Sequence, residues 1–184
     1  MPAVAAVRDL YFAAASEPPL SESAEVAELF ADLYAGALER ESVSAVVDYE
    51  DSRLTAFAYG HPWRWEEQQD SWSNELKERL GQDARLLDGA HALLLLARDP
   101  AVRGSGLGKR VLDAWLSGVG KGPVWLQTTD IASPARHLYE AAGFEVIGYG
   151  PNAPNGTPGL VMLRRGSDSP ATSKNTSNPA ISGD

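Results

Sequence analysis

The sequence predicts a mixed α/β (α+β) domain, and three observations carry that expectation. Short runs rich in Val, Ala and aromatics alternate with stretches whose apolar residues recur every three or four positions. Residues 90–98 form a nearly unbroken apolar run, as in a strand buried on both faces. That run breaks into a glycine-rich turn that opens an amphipathic helix. With 184 residues, 43% of them hydrophobic, the chain suits one domain with a real core rather than two.

Residues 9–15 read as a short first strand, closed by the turn signal E-P-P. A helix follows. Ser21 or Ser23 caps it, Glu22 and Glu25 suit its first turn, and Val26, Leu29, Phe30, Leu33, Tyr34 and Leu38 form one apolar stripe expected to lie on a sheet. Residues 42–49 and 54–59 read as a β-hairpin around the polar turn E-D-S-R. Between 60 and 88 the clearest signal is a helix over W-S-N-E-L-K-E-R-L, ended by Gly81. The apolar run at 90–98 is the next strand, 109–119 the helix after the glycine turn, and 124–128 a further strand. Ser133-Pro134 starts another helix, with Ser as N-cap and Pro at the first helical position, and Gly143 closes it. Two last strands, 144–149 and 160–165, flank the turn-rich loop P-N-A-P-N-G-T-P-G. The hydrophobic signal then stops, giving a domain over 1–166 and a tail over 167–184 expected to be disordered.

Composition excludes several function classes. No cysteine is present, which removes disulfides, thiolate zinc sites and a cysteine nucleophile. Histidines 61, 91 and 137 show no close metal spacing, and no G-x-S-x-G elbow occurs, so neither a metal site nor a serine hydrolase is expected. A net charge of −9 disfavours nucleic acid or an acidic membrane as partner and is compatible with a cationic acceptor. The acidic residues Glu22, Glu25, Glu28, Asp32, Glu66, Glu67 and Asp70 crowd the first half, read as solvated surface charge with an amine-attracting mouth as the alternative. The N-terminus M-P-A-V-A-A-V-R-D-L lacks a basic start with a long apolar segment, so a soluble cytoplasmic protein is expected.

The glycine turn carries the chemistry. Gly104, Gly106 and Gly108 remove side chains that would block a ligand, and the following helix points unpaired N–H groups and its positive dipole end at the turn. A pyrophosphate suits such a place. Rival motifs fail on the same residues. A P-loop would need glycine where Arg103 stands and a hydroxyl where Arg110 stands, and the three glycines are spaced two and two rather than as G-x-G-x-x-G.

The pattern Arg103-x-x-Gly106-x-Gly108 resembles the acetyl-coenzyme A loop of the GNAT N-acetyltransferase superfamily, and the order of elements is similar, convincingly over 93–165 and loosely over 9–59. The resemblance implies a mixed central sheet of six to seven strands with helices on both faces and a V-shaped splay between two parallel strands that admits the cofactor. It implies an acetyl-CoA-dependent N-acetyltransferase acting on a primary amine of a small molecule or protein by direct attack in a ternary complex, with room for a homodimer. A catalytically degenerate acyl-CoA-binding or interaction module is the alternative. On this resemblance Arg103, Gly104, Ser105, Gly106, Leu107 and Gly108 bind the pyrophosphate through backbone N–H groups, Lys109 adds charge, and Leu96, Ala97 and Arg98 bind the pantetheine arm through their backbone. Arg98 stands where the family has a small aliphatic residue.

Tyr139, in H-L-Y-E-A-A-G-F, resembles the family tyrosine that protonates the leaving thiolate. Two family positions differ: Ala132 stands where many relatives carry Asn, and Leu95 where a glutamate often serves as base. His91 has a suitable intrinsic pKa for that role, and a structural histidine is the alternative. Glu66 and Glu67 could act through water or be solvated loop charges, and an amine of modest pKa needs no base. Trp63, Trp65 and Trp72 lie in the segment that, by the same analogy, borders the acceptor channel, as pocket walls or as packing.

Overall fold

The N-terminus departs from the sequence expectation. In the computed structural model, which describes residues 1–39, 42–102 and 106–166, the expected first strand is the second half of a helix, α1 (Val4–Ala15). Val7, Leu10, Tyr11 and Ala15 are buried along it, a helical stripe that begins before residue 9 and so escapes a reading of the Leu-Tyr-Phe run alone. The second helix, α2 (Ala24–Ala37), forms as expected but turns a different face inward. Ala27, Ala31, Tyr34 and Ala37 are buried, whereas Leu29 and Leu33 of the expected stripe are 47% and 54% exposed. Small side chains let α2 approach α1 closely, and the Tyr34 hydroxyl donates to the Pro2 carbonyl at 3.0 Å.

Strands β1 (Ser44–Glu50) and β2 (Arg53–Pro62) make the expected hairpin. Its two-residue turn, Asp51-Ser52, has φ of +47° and +67°, the positive values a tight hairpin of this twist requires. The helix α3 (Ser71–Leu80) is capped by the Asp70 carboxylate on the Ser73 N–H at 2.9 Å and ends at Gly81, whose φ is +54°. Then come β3 (His91–Arg98), α4 (Leu107–Val119), β4 (Val124–Thr129), α5 (Pro134–Ala141), β5 (Glu145–Gly150) and β6 (Gly159–Arg164). No helix among the described residues is long and apolar enough to cross a membrane.

The six strands form one mixed sheet in the order β1-β2-β3-β4-β6-β5, in which only β3 and β4 run parallel. Alternation divides the core. Ala56, Ala58, Val124, Leu126, Leu160 and Met162 face α4 and α5, while Phe57 and Tyr59 face α1 and α2, and Trp125, Val161 and Leu163 face α3.

Strand β3 changes parity midway. Tyr59 pairs with Leu95 but Gly60 with Leu93, which leaves Leu94 as an extra residue, a β-bulge. Before it Ala92 packs with the α3 cluster; after it Leu95 and Ala97 pack with α1 and α2, although a strict period of two would put odd and even residues on opposite faces throughout. The bulge brings two backbones together at Gly60. A Cβ there would lie 1.9 Å from the Ala92 carbonyl oxygen and 2.8 Å from the Trp115 ring. Gly60→Ala is therefore expected to lower stability by about 2–3 kcal/mol in urea unfolding. Gly36→Ala, which meets nothing within 4 Å in a helix, should instead be neutral or gain up to about 1 kcal/mol. Equal midpoints for the two variants would refute the close approach.

Candidate active site

Parallel pairing of β3 and β4 is confined to His91 with Val124 and Ala92 with Trp125. Beyond them the strands part. From Leu93 to Arg98 the edge of β3 that faces β4 has no partner strand among the described residues, while its other edge stays paired with β2 from Leu93 through Arg98. The V-shaped gap expected from the family resemblance is thus present, closed at His91 and open at Arg98.

At the open end the chain is braced before it turns. The Asp99 N–H donates to the Thr55 carbonyl at 2.8 Å, one Asp99 carboxylate oxygen accepts the Ala101 N–H at 2.8 Å, and the other pairs with Arg53 at 2.9 Å. Arg98, the residue that departs from the family pattern, has its guanidinium on the carbonyls of Asp99 and Val102, at 3.3 and 3.1 Å. Its side chain holds the loop while its backbone stays in β3. Arg103, Gly104 and Ser105 lie outside the described residues.

Gly106 caps α4 with φ +63° and ψ +18°, the left-handed conformation that glycine adopts without steric cost, and its carbonyl accepts the Arg110 N–H at 3.0 Å. Gly108 has no such backbone demand. A Cβ there would make only ordinary contacts, 3.7 Å to Leu138 and 3.8 Å to Arg98. Neither fold nor packing requires glycine at 108, so its bare backbone fits a ligand lying against the helix start. Leu107 is buried beneath that surface. Lys109 points along the exposed side of α4, paired with Asp113 at 2.6 Å.

Tyr139 comes from α5, whose start is fixed by the Ser133 hydroxyl accepting the Arg136 N–H at 3.2 Å. The ring is 7% exposed, edge-on to Phe144 at 6.0 Å, in the buried cluster that also holds Leu93, Leu107 and Leu126. Those residues belong to the two sides of the gap and the start of α4. Burial pushes the phenol's pKa above its ordinary value, so the hydroxyl stays a proton donor.

His91 stands at the closed end, roughly 23 Å along the strand from Arg98, with its pKa lowered by burial. Leu95 is buried in the α1/α2 cluster. Trp63 is buried, edge-on to Trp65 at 5.5 Å and to Trp125 at 4.9 Å, and its indole N–H has no partner among the described residues. Trp65 donates to the Ala84 carbonyl at 2.9 Å and carries the Lys77 ammonium 5.4 Å from its ring centroid. Trp72 is 37% exposed on α3 and makes none of these ring contacts, so the expected tryptophan group gathers Trp125 in its place. Glu66 and Glu67 are exposed and lie 3.7 and 3.9 Å from Arg64. Arg64, Trp65, Glu66, Asp88 and Gly89 line a cleft of about 410 Å³ beside the closed end.

A gap between parallel strands, with a glycine-capped helix at its mouth, is what the family resemblance requires, and a family model for the acetyltransferase (GNAT) family matches residues 4–144. The chain belongs to the GNAT acetyltransferase family. Solved structures share its fold at low identity. A protein from Corynebacterium glutamicum described as histone acetyltransferase HPA2 and related acetyltransferase is 18% identical with a TM-score of 0.62, over 93% of this chain and 97% of that one. The ribosomal-protein-S18-alanine N-acetyltransferase from Escherichia coli is 16% identical with a TM-score of 0.59, covering 92% and 91%. The PaiA N-acetyltransferase from Thermoplasma acidophilum, solved in complex with coenzyme A, is 13% identical with a TM-score of 0.52, covering 88% and 89%. No curated protein matches the sequence at a significant level.

Sequence reasoning missed the loop between α1 and α2. Glu22 was expected in the first turn of α2; it precedes the N-cap, Ser23, and is buried with its carboxylate on the Tyr11 hydroxyl. A polar residue three places after the proline pair Pro18-Pro19 carried no periodic signal that marked it. For the glycines of this GNAT site, Gly106→Ala should cost about 1–2 kcal/mol through its left-handed backbone, and Gly108→Ala should gain up to about 1 kcal/mol as a helix former. Urea midpoints moving in opposite directions would bear out this division; a loss at both would show that packing demands glycine at 108.

Proposed function

We propose that the protein is an acetyl-CoA-dependent N-acetyltransferase that acetylates a primary amine of a small molecule or a protein by direct attack in a ternary complex. The observation that carries this reading is the unpaired edge of β3 ending at a glycine-capped helix start. An extended chain with amide groups can add to such an edge as a strand would. Backbone groups of Leu96, Ala97 and Arg98 would hold the pantetheine arm. The backbone at Gly106, Leu107 and Gly108, with Arg103, Gly104 and Ser105, would receive the pyrophosphate, assisted by the helix dipole and by Lys109.

Bound there, acetyl-CoA supplies an acetyl group activated as a thioester. Tyr139 is assigned the proton for the departing sulfur, since its burial keeps the phenol protonated across the neutral range. The tryptophans and acidic residues on the α3 side, Trp63, Trp65, Glu66 and Glu67, are assigned to the acceptor side. His91, whose pKa burial lowers, stands at the closed end and is given no step in the transfer. Two of the structural neighbours are named for different protein acceptors, a histone and a ribosomal protein, which leaves the acceptor of this chain open within the class of amines.

Two substitutions separate donor binding from chemistry. Tyr139→Phe should lower kcat by about 10²-fold or more, with the KM for acetyl-CoA within about threefold of the parent. Gly106→Glu should abolish binding, by backbone strain and by charge against the diphosphate. Thiol release measured over an amine series checks both, and an equal loss of affinity and turnover in Tyr139→Phe would overturn its assignment.

A further inference from the structure

The loop over residues 16–23 runs from α1 to a contact with the loop between β5 and β6. On one side it leaves α1, whose Leu10, Tyr11 and Ala15 share a buried cluster with Leu95 and Ala97 of β3. On the other, the Leu20 carbonyl accepts the Asn155 amide at 3.4 Å. Asn155 lies in the loop from β5 to β6, which ends at Gly159 opposite Thr129, the last residue of β4. The Asp130 N–H, just past β4, donates to Pro158 of the same loop at 2.9 Å. Two loops therefore meet on the side of the C-terminal ends of β3 and β4, where the gap is open.

Glu22 is held in this bridge. Its N–H donates to the Ala15 carbonyl at 2.9 Å, the Ser21 N–H to the Glu17 carbonyl at 3.1 Å, and Ser21 has a left-handed φ of +51° that a non-glycine residue keeps only where its surroundings fix it. The Glu22 residue is 8% exposed. The Tyr11 hydroxyl, stacked in place by Phe30 at a centroid distance of 4.3 Å, donates to one carboxylate oxygen. Among the described residues no cation pairs with this carboxylate, and it caps no helix. A buried carboxylate without a cation is costly to the fold, so a positive ligand is the partner it lacks. Burial, the larger influence, raises its pKa; the Tyr11 hydrogen bond acts the other way, and Tyr11 is the one ionisable group that shifts it among the described residues.

Resting on the acetyl-transfer reading above, we propose that Glu22 is the group that receives the acceptor ammonium and takes its proton at the mouth of the gap. The ammonium N–H bond breaks, and its proton passes to the Glu22 oxygen that Tyr11 does not occupy. The freed nitrogen lone pair forms the C–N bond to the acetyl carbon as the C–S bond breaks. The sulfur takes the Tyr139 proton, the second nitrogen proton passes to solvent, solvent returns a proton to Tyr139, and Glu22 releases its proton to solvent, so that one proton is set free per acetyl group transferred. Tyr11 is a positioning residue.

The test uses the full chain with acetyl-CoA and a panel of 2-phenylethylamine, butylamine and an alanine-terminated peptide. Glu22→Gln keeps the shape and the Tyr11 hydrogen bond. Its kcat/KM for the best acceptor is expected to fall about 10²-fold or more at pH 7, with calorimetric affinity for acetyl-CoA unchanged. Because the variant depends on free amine in solution, the deficit for butylamine or 2-phenylethylamine should close by about tenfold per pH unit between pH 7 and 9, and for the peptide it should close mostly below about pH 8, where its α-amino group has lost its proton; a merely structural loss would do neither. Tyr11→Phe, a second variant, should move the acid limb of the wild-type profile to higher pH, because it removes the bond that holds Glu22 down. Turnover within twofold of the parent in Glu22→Gln, with acetyl-CoA bound, would overturn the role of Glu22 and leave acetyl transfer standing. Wild-type protein that binds acetyl-CoA but acetylates no amine of the panel, or that does not bind it, would overturn both.

Discussion

Two residue pairs, His91 with Val124 and Ala92 with Trp125, join β3 to β4, and the architecture of the site follows from their stopping there. A parallel pair that continued would satisfy the backbone groups of β3 from within the sheet. Because the pairing ends, a row of backbone donors and acceptors is left facing a gap, and such groups require hydrogen-bond partners. The bulge at Leu94 falls just beyond the last pair, and Gly60 allows the backbone approach that accompanies it. Wedge, bulge and glycine act together.

The two faces of the sheet beside the gap are built differently. Toward α4 and α5 lie the glycine-capped helix start and the buried Tyr139, a surface suited to an anion and to a proton donor. Toward α1 and α2 lie Tyr11 and Glu22, and toward α3 the group Trp63, Trp65 and Trp125, buried and partly buried rings and a buried carboxylate that the proposed reading assigns to the acceptor side. The net charge of −9 is compatible with the proposed division, in which the diphosphate is received at a helix start with Arg103 and Lys109 beside it rather than by a broad basic surface.

Much of this was legible in the sequence because local chemistry decided it. The hairpin turn, the stop of α3 at Gly81, the Ser133-Pro134 start of α5 and the glycine cap of α4 each depend on a residue whose backbone preference is strong. What escaped was decided by packing. The segment 9–15 has strand-like residues, but its stripe continues back to Val4 and Val7, and it folds as a helix. In α2 the large apolar residues mark a face that the structure leaves partly open, because alanines make the closer fit to α1. Trp125 joins Trp63 and Trp65 from a distant strand, and Glu22 meets Tyr11 across a loop; neither pairing has a sequence period. Of the pattern that carried the family resemblance, Arg103 lies outside the described residues, as do Gly104 and Ser105, so the proposed donor site rests on Gly106, Gly108 and the free edge of β3.

Amide hydrogen exchange with and without coenzyme A measures that edge directly. The account predicts slower exchange in the presence of coenzyme A confined to residues 93–98 and to residues 103–110, the glycine turn and the first turn of α4, with the paired start of β3 and the β1–β2 hairpin unchanged. Protection elsewhere, or no change anywhere at saturating coenzyme A, would contradict it.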